Sequence, residues 1–306
     1  MHHWRTRREW PLILAIAVAA CTFGRPPVDG AGPGSASPSV EEFPVILAAG
    51  DIGACDSNGD EATAALLEEH DGAILALGDL AYPAGRADDF TKCYAPSWGP
   101  DRDRTHPVPG NHEYATLRAK PYYDYFGAAA GDPQEGWYAF DLAEWHVIAL
   151  NSNCWEIGGC SADSRQAEWL RADLADHSSA CTLAFWHHPR WSSGEVHGSD
   201  GATTTFWEVL HDAGGDIVLA GHDHLYERFE PMDRDGVAEP DGMVEFVVGT
   251  GGKSLFGFAD ILPTSAAHDN SSFGVLKLTL RPGAYDWEFL STSGTGFTDA
   301  GTTACR

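Results

Sequence analysis

Residues 73 to 82 read AILALGDLAY: five apolar residues, a glycine, a carboxylate and, three residues later, a tyrosine. The apolar run predicts a β-strand over Ala73 to Leu77. Gly78 permits a sharp turn at its end, which would place Asp79 just beyond the strand. Tyr82 is within reach of Asp79 through a single turn. The segment therefore places two candidate functional side chains, Asp79 and Tyr82, just beyond the carboxyl end of a strand.

Four other apolar runs end in the same way. They are VILAAGDIG with Asp51, HPVPGNHEY with Asn111, His112 and Glu113, LAFWHHP with His187, and IVLAGHDH with His222 and His224. Each has a structural alternative: Asp after Gly is common in turns, Asn-His can cap a helix, and His187 can pack in a core. Functional residues of α/β sheets nevertheless gather beyond the carboxyl ends of the strands. Five such endings predict one shared site.

The rest of the chain alternates strands and helices and then becomes rich in strands. Strand-like runs cover Pro44 to Ala49, Trp137 to Leu150 as a hairpin, Leu183 to Trp186, and much of Met243 to Leu290. Helical spacing covers Asp60 to His70, Ser164 to His177, and Phe206 to Ala213, where two glycines follow. This order predicts an α/β fold of layered, mixed sheets.

The N-terminus resembles an export signal. Positive residues precede the apolar run Pro11 to Ala20, which is far too short to span a bilayer. Val18-Ala19-Ala20-Cys21 resembles a bacterial lipobox, which implies cleavage before Cys21 and a lipid on its sulfur. Thr6 to Trp10 also resembles a twin-arginine export signal, so the export route stays open. We therefore expect a cell-surface lipoprotein, held to a membrane only by the lipid, or a secreted protein.

Three regions follow from this composition. Residues 1–20 are the predicted signal peptide, and residues 21–42, rich in Pro, Gly and Ser, are the predicted tether. Residues 43–306 are long enough for one large domain with its own core.

The net charge of −26 argues against nucleic acid as a partner, because phosphate backbones are bound through Lys and Arg. An acidic surface also repels anionic substrates, so a phosphate site must carry its own positive charge.

Beyond Cys21 the sequence has six cysteines, an even number with no C-x-x-C spacing. In an exported chain this pattern predicts disulfides rather than zinc ligands. Cys154 with Cys160 is the pair that the residues argue for, because two glycines in the intervening WEIGG allow a tight loop. Cys55 with Cys93 and Cys181 with Cys305 are the remaining pairs that we choose.

Together the five segments resemble the signature of binuclear metallophosphoesterases, specifically the purple acid phosphatase branch. The resemblance spans residues 47 to 224, and VVGTGG at 247 to 252 is also similar. It implies a four-layer α/β/β/α sandwich of two mixed β-sheets flanked by helices. The chain resembles the compact, single-domain type, for which we expect a monomer.

The resemblance also implies two metal ions and their ligands. The ligands of the first ion would be Asp51, Asp79, Tyr82 and His224, and those of the second Asp79, Asn111, His187 and His222. Carboxylate, phenolate and imidazole suit Fe(III) at the first site, while the second set suits Fe, Zn or Mn. His187 is preferred to His188 because the resemblance expects His-x-Pro and Pro189 follows.

Two histidines are expected to act without binding metal. His112 lies beside Asn111 and could donate a proton to the leaving oxygen or stabilise the transition state, with Glu113 as the candidate to orient it. His197, in GEVHGSD, resembles a histidine that contacts phosphate in this family; the alternative is an exposed loop residue. Asn111, His112 and His197 would then contact the substrate.

The implied function is an exported phosphatase that hydrolyses small phosphomonoesters by attack of a metal-bound hydroxide. One alternative is a phosphodiesterase, since the same metal core serves both reactions. Another is a surface lipoprotein that binds metal or phosphate without turnover. The presence of His112, which has no metal-binding role, counts against that second alternative.

One position departs from the wider family. Most metallophosphoesterases have Asp-x-His in the first segment, where this chain has Asp51, Ile52 and Gly53. The first ion would then be one ligand short, and we expect Tyr82 to supply the missing ligand. The alternative is a buried tyrosine whose hydroxyl makes only a hydrogen bond.

Overall fold

The computed structural model describes residues 42–306, except for 178, 180 and 295. The predicted signal peptide, Cys21 and the tether up to residue 41 lie outside the described residues and stay predictions. Among the described residues, no helix is both long enough and apolar enough to cross a membrane.

The described chain contains thirteen strands in two sheets. In chain order they are β1 (Val45–Ala49), β2 (Ala73–Leu77), β3 (Thr105–Val108), β4 (Tyr138–Leu142), β5 (Trp145–Ala149), β6 (Cys181–Phe185), β7 (Ile217–Ala220), β8 (Tyr226–Phe229), β9 (Val244–Val248), β10 (Ser265–Asp269), β11 (Gly274–Arg281), β12 (Ala284–Ser291) and β13 (Ala300–Ala304). The first sheet has the order β13-β12-β11-β1-β2-β3 and the second β10-β8-β9-β7-β6-β5-β4. Both are mixed: β1 pairs with β2 in parallel and with β11 in antiparallel fashion, and β9 pairs with β7 in parallel and with β8 in antiparallel fashion.

Helices connect the strands. The α-helices are α1 (Gly59–Glu68), α2 (Ala87–Asp89), α3 (Lys120–Phe126), α4 (Arg165–Asp176) and α5 (Thr204–Asp212). Short 3-10 segments cover Gly99–Arg104, Glu113–Ala115, Leu117–Ala119, Gly127–Ala130 and Gly201–Thr203, and Phe90–Tyr94 forms a π-helical turn.

The buried side chains of β6 show how the layers are built. Leu183 and Phe185 point into the core between the two sheets, together with Leu75 of β2 and Leu278 of β11 in the first sheet. Ala184, between them, points the other way into a second core that contains Leu170 of α4 and Leu210 of α5. A strand buried on both faces in this manner requires a layer on each side. The predicted arrangement of two mixed sheets with flanking helices is confirmed.

The predicted elements agree closely with the observed ones. Ala73–Leu77 is the strand expected, and the helix expected over Ser164 to His177 runs from Arg165 to Asp176. The structure contains all three predicted disulfides, Cys55–Cys93, Cys154–Cys160 and Cys181–Cys305. The end of α1 differs from the prediction, because the helix stops at Glu68 rather than at His70.

Candidate metal centre

Five strand ends from both sheets meet at one place. In the first sheet β1, β2 and β3 lead to Asp51, Asp79 and Asn111, and in the second β6 and β7 lead to His187 and His222. The backbone φ angles are 61° at Asp51, 53° at Asp79 and 71° at His222, in a region that residues other than glycine rarely adopt. Strained backbone of this kind is typical of functional sites.

The first group of donor atoms surrounds the hydroxyl of Tyr82. This oxygen lies 2.9 Å from Asp51 Oδ1, 3.1 Å from His224 Nε2 and 3.3 Å from Asp79 Oδ2. His224 Nε2 is in turn 3.2 Å from Asp51 Oδ1. Ligand atoms about 2.0–2.2 Å from one ion lie about 2.8–3.5 Å from each other. The spacing of these four atoms therefore fits a single metal ion.

A second group surrounds His187. Its Nε2 lies 3.2 Å from Asn111 Oδ1, 3.1 Å from His222 Nδ1 and 3.3 Å from Asp79 Oδ2. These distances fit a second ion for the same reason. Asp79 Oδ2 belongs to both groups, so it has the position of a bridging ligand.

Backbone groups and a serine orient these ligands. His187 Nδ1 lies 2.8 Å from the carbonyl of Leu77 and must donate to it, which leaves Nε2 free to bind a metal. His224 Nδ1 is 2.8 Å from Ser254 Oγ. Asp51 Oδ2 accepts from the backbone N–H of His222 at 2.8 Å. In metal sites, hydrogen bonds to the ligand atoms that do not face the metal fix the orientation of the ligands.

The buried carboxylates of these donor groups favour the binding of cations. Asp51 and Asp79 are buried, and in the described part of the chain their ion-pair partners are histidines. Burial disfavours the charged ring of His187, yet the Asp79 carboxylate outweighs it and raises the pKa of His187 to about 9. Burial and the nearby Asp51 and Asp79 carboxylates raise the pKa of Tyr82 well above its usual range. Buried carboxylates, a phenol and imidazoles within one cluster are a donor set that metal ions would bind.

Gly53 is at a position where no side chain fits. A Cβ added there would lie 2.8 Å from Tyr94 Cα and 2.9 Å from the carbonyl oxygen of Leu80. The same segment receives Tyr82, whose backbone N–H donates to the Gly53 carbonyl at 2.8 Å. The backbone that excludes a ligand from position 53 thus brings the Tyr82 phenol into the centre.

Glu113 does not orient His112, contrary to the sequence-based expectation. It is fully buried and accepts from the backbone N–H groups of Asp79, Leu80 and Gly110 at 2.9, 2.9 and 2.8 Å. It therefore ties together the two loops that carry Asp79 and Asn111. Sequence reasoning missed this role, although a glutamate directly beside the Asn-His pair is a signal for it. Burial and the Asp79 carboxylate raise the pKa of Glu113 to about 7.

His112 lies at the open edge of the centre. Its Nε2 is 3.7 Å from Asp79 Oδ2, and its side chain is 35% exposed. Its Nδ1 is 2.6 Å from the Pro83 carbonyl, which is the group that orients the ring. With Nδ1 held in this way, Nε2 points toward Asp79 at the open edge of the donor groups.

His197 and His188 complete the wall beside His222. The exposed His197 stacks on His222 with 3.9 Å between ring centroids, and its backbone N–H donates to Asp223 Oδ1 at 3.2 Å. The centroid of the His188 ring lies 4.4 Å from that of His222, and His188 Nδ1 lies 2.8 Å from Ser152 Oγ. Asp223, between His222 and His224 in the sequence, was not singled out from the sequence, yet it accepts from the backbone N–H groups of His197 and Gly198 and so anchors their loop.

Comparisons with known proteins agree with this geometry. Residues 44–226 match the family described as calcineurin-like phosphoesterase. Purple acid phosphatase 15 of Arabidopsis thaliana is 26% identical over 243 residues, which is 68% of this chain and 44% of that protein. Purple acid phosphatase 22 of the same plant is 32% identical over 121 residues, 38% of this chain and 27% of that protein. The chain thus spans less than half the length of these two relatives.

Solved structures show the same fold. The purple acid phosphatase PPD1 from yellow lupin seeds superimposes with a TM-score of 0.75 at 20% identity, covering 86% of this chain and 54% of that one. GAP50, the anchor in the inner membrane complex of Plasmodium, gives a TM-score of 0.66 at 15% identity, covering 87% and 90%.

Proposed function

The chain belongs to the calcineurin-like phosphoesterase family, and from that premise we propose that it is an exported, metal-dependent phosphatase that hydrolyses small phosphomonoesters. The catalytic domain would be residues 43–306, acting as a monomer. Relatives named purple acid phosphatases and the oxygen and nitrogen donors of the centre support this assignment.

The observation that carries the proposal is the position of Asp79. Its Oδ2 lies 3.3 Å from the Tyr82 hydroxyl and 3.3 Å from His187 Nε2, while its Oδ1 accepts from the backbone N–H of His112 at 2.8 Å. One carboxylate is therefore directed at both donor groups and fixed by the segment that carries the proposed proton donor. A carboxylate with only a structural role would not have to lie between both donor groups.

The proposed ligands divide between the ions as the donor groups do. Asp51, Tyr82 and His224 would hold the first ion, Fe(III), and Asn111, His187 and His222 would hold the second, Fe, Zn or Mn, with Asp79 shared. Two such ions supply charge for binding phosphate, a water of lowered pKa as nucleophile, and stabilisation of the attacking and leaving oxygens. Phosphate binding thereby gains the positive charge that the acidic surface lacks.

The remaining roles fall to residues at the rim. His112 would donate the proton on Nε2 to the leaving oxygen, since Pro83 fixes the ring through Nδ1. His197, stacked on His222, and the side chain of Asn111 would contact phosphate oxygens. The side of the His197 ring that stacks on His222 is shielded from water, and this partial desolvation lowers the pKa of His197 against the opposing charge of Asp223, so a neutral donor is favoured there.

Hydrolysis of p-nitrophenyl phosphate and bis-p-nitrophenyl phosphate tests the proposal. Metal-loaded protein should hydrolyse the monoester faster, and a chelator should abolish the reaction until Zn²⁺ or Mn²⁺ is restored to iron-containing protein. A faster reaction with the diester would instead identify a phosphodiesterase on the same centre. Hydrolysis of neither compound by protein that contains both metals would favour a binding protein without turnover.

A further inference from the structure

A pocket of about 400 Å³ lies beside the donor groups. Asn111 and His188 belong to its wall, so the pocket adjoins the side of the centre proposed for the second ion. Its other walls include Tyr114, Trp155, Glu156 and Asp200. A substrate whose phosphate is held at the centre would have to place its leaving group in a space of this kind.

The pocket is acidic. Glu156 is exposed and Asp200 is half-buried, and both contribute to the wall. Within the described part of the chain, the residues that line the pocket include no lysine or arginine. The net charge of −26 adds to this negative potential. An anionic leaving group would be repelled here, while a cationic one would be attracted.

The pocket also presents an aromatic surface on a rigid loop. Trp155 is 97% exposed, an unusual state for the largest apolar side chain. It lies in the loop closed by the Cys154–Cys160 disulfide, and within this loop Gly159 N–H donates to the Cys154 carbonyl at 2.8 Å. A tryptophan on a fixed loop can contact a ligand at little cost in conformational entropy, and its ring attracts cations.

A hydrogen bond connects this loop to the metal centre. Asn153 Nδ2 donates to the Pro109 carbonyl at 2.9 Å, two residues before Asn111. The base of the disulfide loop is thus fixed to the segment that carries a proposed metal ligand.

We propose that this pocket takes the leaving group of the substrate and selects a cationic or neutral group with a planar or apolar part against an anionic one. The inference rests on the proposed phosphatase function and specifies its substrate class. Trp155 and Glu156 are the residues that determine specificity.

A second pocket of about 460 Å³ lies on the other side of the centre, beside Tyr82. Its wall includes three cations, Arg86, Lys92 and Lys253, and three acids, Asp56, Asp88 and Asp89. Lys253 pairs with Asp56 at 2.7 Å, and Lys92 pairs with Asp88 at 2.7 Å. A pocket with balanced charges would not discriminate between leaving groups by charge. This second pocket is the alternative location for the leaving group, and Asp88→Asn tests whether its charges affect binding.

Two aryl phosphonates that are not hydrolysed test the proposal by calorimetry on metal-loaded protein. They are 4-(2-aminoethyl)phenylphosphonate and 4-(2-carboxyethyl)phenylphosphonate, which differ mainly in the charge of the substituent. The ammonium compound should bind about fivefold or more tightly, the scale of a few partly exposed charge interactions. Glu156→Gln should reduce this ratio by about two- to threefold. Glu144→Gln, the same change at the exposed turn before β5, should not alter it. Trp155→Ala should weaken the ammonium compound about two- to fivefold, and Trp155→Phe should restore most of the loss.

Equal affinity of the two compounds for the wild type would overturn the proposal. So would a ratio that Glu156→Gln leaves unchanged, or one that Asp88→Asn reduces instead. Because phosphonate binding needs no turnover, the two proposals can fail separately. A preserved preference without hydrolysis of any aryl phosphate would refute the phosphatase function alone, whereas hydrolysis without charge preference would refute the leaving-group pocket alone.

Discussion

The Tyr82 hydroxyl lies 2.9 Å from Asp51 Oδ1, although Tyr82 and Asp51 follow different strands. The Tyr82 N–H bonds to the Gly53 carbonyl, at a place where the backbone of Tyr94 and Leu80 excludes a side chain. Burial and the Asp51 and Asp79 carboxylates raise the pKa of Tyr82, which favours the protonated phenol. A cation bound at this group would reverse that preference, because it would stabilise the phenolate directly.

Replacement of Tyr82 by phenylalanine should remove the colour of the oxidised iron-containing protein. A phenolate bound to Fe(III) gives a visible charge-transfer band, and Tyr82→Phe deletes the phenolate while keeping the ring. The visible spectrum and the iron content should be measured on the same sample. Tyr114→Phe is the matched control, because the Tyr114 hydroxyl accepts from Asn151 outside the donor groups. An unchanged band in iron-containing Tyr82→Phe protein would exclude Tyr82 as a ligand.

Replacement of His112 by alanine should slow turnover without loss of metal. Its Nε2 is 3.7 Å from Asp79 Oδ2, at the edge of the donor groups, and we expect kcat to fall by roughly 10²-fold as for a lost general acid. Metal analysis and kcat for p-nitrophenyl phosphate provide the comparison. His106→Ala, which removes a ring stacked on Phe140, serves as the control. If metal content fell in proportion to activity, His112 would be a ligand instead.

Metal should stabilise the protein more at pH 8 than at pH 5.5. In the metal-free chain the pKa of His187 is raised to about 9 and that of Glu113 to about 7. Raised pKa values mean that the folded apoprotein gains stability from bound protons at low pH and loses it as pH rises through these values. Metal binding must displace the His187 proton, so apparent metal affinity rises with pH up to about 9.

The measurement is the difference in Tm between Zn²⁺-loaded and chelated protein at the two pH values. His187→Ala, which lacks the competing proton, should show a smaller metal effect and a weaker pH dependence. A metal-induced increase in Tm that is equal or larger at pH 5.5 would contradict the assignment of His187 as a ligand.

Much of the site could be predicted because its ligands follow strands whose sequences are short, apolar and ended by glycine. The Asp51 and Asp79 loops extend the parallel pairing of β1 and β2, as the Asp51 N–H bond to the Gly78 carbonyl at 3.0 Å shows. Local sequence thus determines where each ligand leaves its sheet. The disulfide pair Cys154–Cys160 is equally local.

What escaped prediction depends on residues distant in the sequence. β11 pairs with β1 across more than two hundred residues, and the strand pattern alone does not indicate that partner. Glu113 and Asp223 accept from backbone N–H groups of other loops, and the sequence does not show which N–H groups these are. The role of Trp155 is visible only once the disulfide loop is seen beside Asn111.

Processing of the precursor and anchoring to the membrane should depend on Cys21. If the Val18-to-Cys21 segment is a lipobox, Cys21→Ser or treatment with globomycin should leave the signal peptide uncleaved or release the protein from the membrane fraction. Intact mass and fractionation of the protein in a bacterial host measure both effects. Normal processing together with membrane retention would refute lipidation at this residue.

Anomalous diffraction from crystals of the metal-loaded protein tests the binuclear centre most directly. Data collected on either side of the iron and zinc absorption edges should show two peaks flanking Asp79 Oδ2, one beside the Tyr82 hydroxyl and one beside His187 Nε2. Asp79→Asn crystals should lose occupancy at both. A single peak, or two peaks that Asp79→Asn leaves at full occupancy, would contradict a centre bridged by Asp79.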